Sequence, residues 1–310
     1  MTITREELVN NSKSVKDNVP RIPIPNMEGT LIHYKDFRSE FVRGRPVDVW
    51  LPNGCNLNSS EEYPVIYMHD GQMMFHHRDS SLAGMDVFWN VDEAVTRLIN
   101  KKEIRPAIVV SVWMSEFPTG SRLAEYLPKK AITNEIWRSI CDVNASDSEF
   151  TEKEINGVLS SDNYLKFLVE ELKPFIDKTY PTLKEAGDTF MIGSSMGGLI
   201  SAYAIEEYPY IFGGVACLSS DWAIGEGILV EWFKTNWPAA GKNRIYFDYG
   251  TESFDALYEP YQKQMDQVMR KYGYRQGEDW TTLRFEGADH SAKAWRQRLH
   301  IPLKFLLGNT

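Results

Sequence analysis

Residues 189–198 read Thr189-Phe190-Met191-Ile192-Gly193-Ser194-Ser195-Met196-Gly197-Gly198, and the reading of this stretch decides the fold. The apolar run 189–192 predicts a strand and the stretch from Gly198 predicts a helix, so Ser195 falls on a sharp turn between them. Such a turn forces its central residue into strained backbone and brings neighbouring chain close. Residues two before and two after it must then lack bulk. Gly193 and Gly197 hold those positions. The Ser195 hydroxyl is expected to stand clear of the sheet, with the backbone N–H of Met196 facing the space where an oxyanion would form.

Working outward, the chain alternates. Two leading strands are predicted at about 31–37 and 46–51, then a strand ending in His69-Asp70-Gly71, a helix within 87–100 and a buried strand in 106–113. Past the insertion that follows, the pattern predicts helix 162–178, strand 189–193, helix 197–208, strand 213–219, strand 244–248, helix 259–272, strand 282–285 and helix 292–307. This alternation implies an α/β fold with a mostly parallel central sheet and helices on both faces. Two insertions, at about 115–160 and 221–243, break the rhythm. They carry Trp137, Phe150, Trp222, Trp232 and Trp237 and are expected to roof the site. Residues 1–28 read as a polar arm before a single domain spanning 29–310.

Composition narrows the function. The chain has 310 residues, 43% of them hydrophobic, with nine Trp, fifteen Tyr and fifteen Phe, enough for a large core and an aromatic-lined cleft. A net charge of −9 argues against nucleic-acid and anionic-membrane partners, which would repel an acidic surface. Cys55, Cys141 and Cys217 are odd in number and widely spaced, so neither a disulfide framework nor a zinc site is expected. Cys217 lies in an apolar run and reads as a core residue. With neither an apolar leader nor a membrane-length span, the expected location is cytoplasmic, or periplasmic or secreted if a leader has been removed.

In a parallel sheet, reactive groups collect in loops at the carboxyl ends of the strands. The last such loop, Phe285-Glu286-Gly287-Ala288-Asp289-His290-Ser291, offers His290 as general base for Ser195. The other histidines fit less well. His33 is in an early strand, His76 and His77 lie in a polar stretch, His300 is on the last helix, and His69 is read as shaping the site. A base of this kind needs an orienting carboxylate. The loop Gly250-Thr251-Glu252-Ser253-Phe254-Asp255 supplies Asp255, favoured for its mid-loop position, with Glu252 as the alternative acid; Asp248 faces the sheet. The bland alternative is that either acid caps the following helix. A second oxyanion donor is expected from the glycine turn after the third strand, at the backbone N–H of Gln72.

Several segments together carry a resemblance. They are Val65-to-Gln72, Trp89-to-Glu93, Arg122 with Glu125-Tyr126 and Pro128, Gly193-to-Gly198, Gly250-Thr251 with Tyr258-Glu259-Pro260, and His290 with Trp295 and Arg298. Over roughly residues 30–308 the chain resembles the putative esterase family of α/β-hydrolases, which groups feruloyl and acetylxylan esterases, siderophore esterases, S-formylglutathione hydrolase and mycolyltransferases of the antigen 85 type. The resemblance implies an α/β-hydrolase fold and a Ser-His-Asp/Glu triad needing no metal and no cofactor. It carries over Ser195 as nucleophile, His290 as base, and the amides of Gln72 and Met196 as the oxyanion hole. The acid loop departs from the pattern: relatives often place the acid three residues after the glycine, here Ser253, which leaves Asp255 and Glu252 both open. The expected function is a serine carboxylesterase acting on a small-molecule or oligosaccharide ester, such as an acylated carbohydrate or a phenolic ester. The rivals are an acyltransferase with the same triad and a catalytically silent binding protein. Substrate contacts are expected from Trp222 and Arg122, the latter alternatively burying an ion pair, with Glu125, beneath the cleft.

Overall fold

The computed structural model describes residues 27–75, 86–114, 122–133, 136, 140 and 159–308. Most of the first insertion, with Trp137, Phe150 and Cys141, lies outside the described residues, as do arm residues 1–26, His76 and His77. Apolar side chains on alternate faces drive eight strands into one sheet: β1 (Thr30–Phe37), β2 (Arg45–Leu51), β3 (Val65–Met68), β4 (Ile108–Val112), β5 (Thr189–Ser194), β6 (Gly214–Leu218), β7 (Arg244–Gly250) and β8 (Trp280–Phe285). Their order is β1-β2-β4-β3-β5-β6-β7-β8. β1 and β2 are antiparallel, β2 joins β4 antiparallel, and every later pairing is parallel.

Central strands are buried along their whole length, as a sheet covered on both faces requires. In β3, Val65 and Tyr67 enter one core cluster while Ile66 and Met68 enter the other. The second cluster is closed by helices α1 (Val91–Asn100), α8 (Ala292–Arg298) and α9 (His300–Leu307). Val91, Ala94, Val95 and Leu98 bury the stripe that helical periodicity predicts. The first cluster lies under α2 (Arg122–Tyr126), α3 (Ser161–Lys166), a π-helical turn Phe167–Leu172, α4 (Lys173–Thr179), α5 (Met196–Glu207), α6 (Ile228–Asn236) and α7 (Glu259–Lys271). The expected terminal helix is two helices that meet at Leu299. Pro302 offers no N–H to the Arg298 carbonyl, and its ring crowds that carbonyl, so the helix breaks there.

The second insertion forms a tight turn over Ile224–Gly227, with Gly225 and Glu226 both at positive φ, followed by α6, whose Leu229, Val230 and Phe233 are fully buried. These three side chains pack into the core. Cys217 is buried in β6 and Cys55 is partly exposed; both are free thiols. Among the described residues no helix is long and apolar enough to cross a membrane. From β3 the chain turns one way to β4, and β5 then pairs with the other edge of β3. A crevice therefore opens beyond the carboxyl ends of β3 and β5.

Candidate active site

Ser195 directly follows β5 at that end of the sheet, with φ 56° and ψ −123°. Such a conformation costs on the order of 1–3 kcal/mol and persists only where surrounding bonds impose it. They do so here. The Ser195 N–H donates to Leu218 O (2.9 Å), and the Ser195 carbonyl accepts from Gly198 N (3.0 Å), Leu199 N (3.3 Å) and Asp221 N (3.4 Å). A Cβ on Gly193 would lie 2.3 Å from Gly197 O, so that position admits only glycine. Gly197 differs from the expectation: a Cβ there would meet nothing closer than Asp70 Oδ2, at an ordinary 3.4 Å. The crowded neighbour is Gly198, where a Cβ would fall 2.3 Å from Ser220 Oγ. Seven non-glycine residues among those described have positive φ. Four of them, Asp70, Ser195, Ser219 and Ser253, stand at or just beyond the carboxyl ends of β3, β5, β6 and β7. Backbone strain is thus concentrated at one end of the sheet.

His290 lies between β8 and α8 and is followed by the helix cap Ser291, whose Oγ accepts from Ala294 N (3.2 Å). Its Nδ1 is 2.6 Å from Asp255 Oδ1. A carboxylate can only accept, so Nδ1 carries the proton and Nε2 is left as the basic nitrogen. Asp255 is fully buried in the 3-10 turn Ser253–Leu257. Its Oδ2 accepts from Ser219 Oγ (2.5 Å) and Gly250 N (2.5 Å). Burial pushes the Asp255 carboxyl up, but these three hydrogen bonds outweigh it and hold the group below its usual range. Glu252, the other candidate acid, is exposed, with its N–H donating to Ala288 O (3.0 Å). Asp248 lies in β7 as read and pairs with buried Arg298 (2.9 Å).

Sequence reasoning missed what holds the acid in place. Ser219 Oγ accepts from Trp295 Nε1 (3.0 Å) and Arg298 Nη2 (2.7 Å) while donating to Asp255. Arg298 Nη2 is also 4.0 Å from Asp255 Oδ2. Trp295 and Arg298 were visible as motif residues, but a lone serine closing an apolar strand gives no signal. Around the His290 imidazole stand three rings, each edge-on: Trp295 at 5.0 Å, Phe254 at 5.7 Å and Tyr258 at 5.8 Å. The Tyr258 hydroxyl donates to the carboxyl of Asp221. Burial raises the Asp221 carboxyl, and the nearby His290 and Arg122 only partly offset this.

Across the crevice, β3 runs in register with β5, Met68 beside Ile192. Gln72 is the middle residue of a 3-10 turn (Gly71–Met73) entered through Asp70 at φ 56°. Met196 opens α5, so its N–H has no intrahelical acceptor and lies at the positive end of the helix dipole. The two segments approach closely: a Cβ on Gly197 would be 3.5 Å from His69 Cβ. Arg122 grips Asp70 with two bonds (Nε–Oδ1 2.8 Å, Nη2–Oδ2 2.7 Å) and also reaches Ser194 O (3.2 Å). Burial opposes the Arg122 charge, but the Asp70 carboxylate more than restores it. Glu125 pairs instead with Arg45 (2.6 Å), so the expected ion pair is two pairs with different partners. His69 is bonded through Nδ1 to Tyr164 Oη (2.8 Å), and burial lowers it to about 3, which keeps it neutral.

The expected substrate contact at Trp222 is corrected by the structure. Its side chain has no exposed surface, its Nε1 donates to Gln262 Oε1 (2.8 Å), and its ring meets Phe233 and Phe247 edge-on. Trp237 is likewise buried. An indole fits this interior once Gln262 accepts its N–H.

The sheet, the strand-to-helix elbow at Ser195 and the loop order together define an α/β-hydrolase. The sequence profile of the family described as "Putative esterase" matches residues 39–135 and 138–306, and the chain belongs to that family. Among curated relatives, "Uncharacterized protein YbbA" of Bacillus subtilis (strain 168) is 24% identical over 292 residues, covering 91% of this chain and 98% of the relative. Among solved structures, a ferulic acid esterase superposes with a TM-score of 0.60 at 18% identity, covering 90% of this chain and 98% of the other. The enterobactin esterase FES from Shigella flexneri superposes with a TM-score of 0.61 at 21% identity, covering 91% of this chain and 59% of the other.

Proposed function

We propose that the protein is a serine carboxylesterase with Ser195 as nucleophile, His290 as base and Asp255 as the acid that orients it. The observation that carries this reading is the 2.6 Å bond between His290 Nδ1 and a buried carboxylate, formed at the same sheet end as a strained serine. With Nδ1 protonated, Nε2 takes the Ser195 proton as Oγ attacks the ester carbon. The oxyanion is held by the backbone amides of Met196 and Gln72, each worth about 3 kcal/mol of the barrier. The C–O bond to the alcohol then breaks, and His290 returns its proton to the departing oxygen. Water, deprotonated by the same nitrogen, attacks the acyl-serine and releases acid and free Ser195. Arg122, committed to Asp70, braces the oxyanion loop against the elbow.

Solved relatives named as ferulic acid and enterobactin esterases support a small-molecule ester as substrate, phenolic esters among them. The test is hydrolysis of p-nitrophenyl esters of increasing acyl length beside methyl ferulate and acetylated xylan. Ser195→Ala should abolish turnover. Asp255→Asn should cost orders of magnitude and Glu252→Gln almost nothing. Turnover surviving in Ser195→Ala removes the nucleophile assignment.

A further inference from the structure

Phe254 and Leu257 flank Asp255 on the turn Ser253–Leu257 and are 66% and 60% exposed, whereas Asp255 is 0% exposed. Only Leu57 and Tyr210 are comparably exposed large apolar side chains among the described residues. In a 3-10 turn, side chains three apart eclipse, so Phe254 and Leu257 stand together on one outward side. The turn cannot roll to bury them. Asp255 is pinned inward by His290, Ser219 and Gly250, and Ser253 enters the turn at φ 58°.

Chemistry says what such a lip would meet. The general acid must come within hydrogen-bond reach of the departing oxygen, so the group on that oxygen lies against whatever flanks the imidazole. Of the three flanking rings, Trp295 and Tyr258 are buried and Phe254 alone is open to solvent. We propose that Phe254 and Leu257 form the subsite for the alcohol half of the ester, and that this half is an apolar alkyl or aryl alcohol rather than a sugar. The inference rests on the esterase reading and deepens it.

The test is a series of alkyl acetates, methyl through octyl, in which the leaving groups differ little in acidity and the acyl group is constant. A methylene wholly withdrawn from water is worth about fourfold, so an open lip should give about twofold per methylene in kcat/KM over the first few carbons. Phe254→Ala and Leu257→Ser should each flatten the octyl-to-methyl ratio several-fold. The dependence on acyl length, measured with p-nitrophenyl esters, should not change. A ratio unchanged in both variants, an equal loss for every alcohol, or faster release of acetate from an acetylated sugar than from octyl acetate would overturn the proposal. Should Phe254→Ala fail to fold, Leu257→Ser, which is not among the rings flanking His290, carries the test alone. Failure of the esterase reading looks different: alkyl acetates would then be cleaved equally by Ser195→Ala.

Discussion

Replacing Ser219 with alanine removes one oxygen from the densest hydrogen-bond junction of the site. A hydroxyl has one proton and two acceptor positions, and Ser219 uses all three, on Asp255, Trp295 and Arg298. In the alanine variant the buried Trp295 N–H has no acceptor, which costs about 1–3 kcal/mol. The bond to a carboxylate that disappears was worth about 1.5–3 kcal/mol, while Arg298 keeps Asp248 and loses little. Because the terms share atoms they do not simply add, and the expected loss is about 3 kcal/mol. Urea unfolding should show it as a lower midpoint at unchanged slope. The catalytic effect should appear separately. Asp255 loses one of the two bonds that fix its Oδ2, so its other oxygen is presented to His290 less rigidly and kcat/KM should fall by about tenfold or more. A loss under about 0.5 kcal/mol with unaltered kcat/KM would refute the view that this serine seats the acid.

Other expectations follow from single observations. Gly198→Ala should lower Tm, because its Cβ would overlap Ser220 Oγ, whereas Gly197→Ala in the same helix should be neutral or stabilising by up to about 1 kcal/mol. Arg122→Met strands the buried Asp70 carboxylate and should cost about 3 kcal/mol in urea unfolding, part of it recovered by adding Asp70→Asn. His69 is neutral when folded, with its pKa lowered to about 3 from 6.5, so its contribution is complete above pH 6.5 and fades as pH falls toward 3. Between pH 6.5 and 4 it should remove up to about 3 kcal/mol of stability, and His69→Asn should show a flatter pH dependence of the unfolding midpoint over that range.

Much of the fold could be read because its cause is local. Strands buried on both faces declare themselves as short apolar runs, and the Val91-Ala94-Val95-Leu98 stripe declares α1. The elbow was legible because a strained serine demands a small residue beside it, although the steric demand falls on Gly193 and Gly198 and spares Gly197. Long-range matters were not legible. Whether Asp255 or Glu252 meets His290 is decided by which one the turn points at Ser219 and Gly250, and those donors arrive from β6 and β7. Trp222 was misjudged because an indole beside a site suggests a cleft, and its buried acceptor Gln262 lies forty residues away. Arg122 and Glu125 are three apart on α2, yet their partners come from β3's loop and from β2.

Treatment with a fluorophosphonate, followed by peptide mapping, tests the heart of the account, since only a serine whose proton is drawn off by a neighbouring imidazole reacts quickly. A single adduct on Ser195, forming at least a hundredfold more slowly in His290→Ala, is the predicted result. Modification at some other residue, or equal labelling with and without that imidazole, would contradict it.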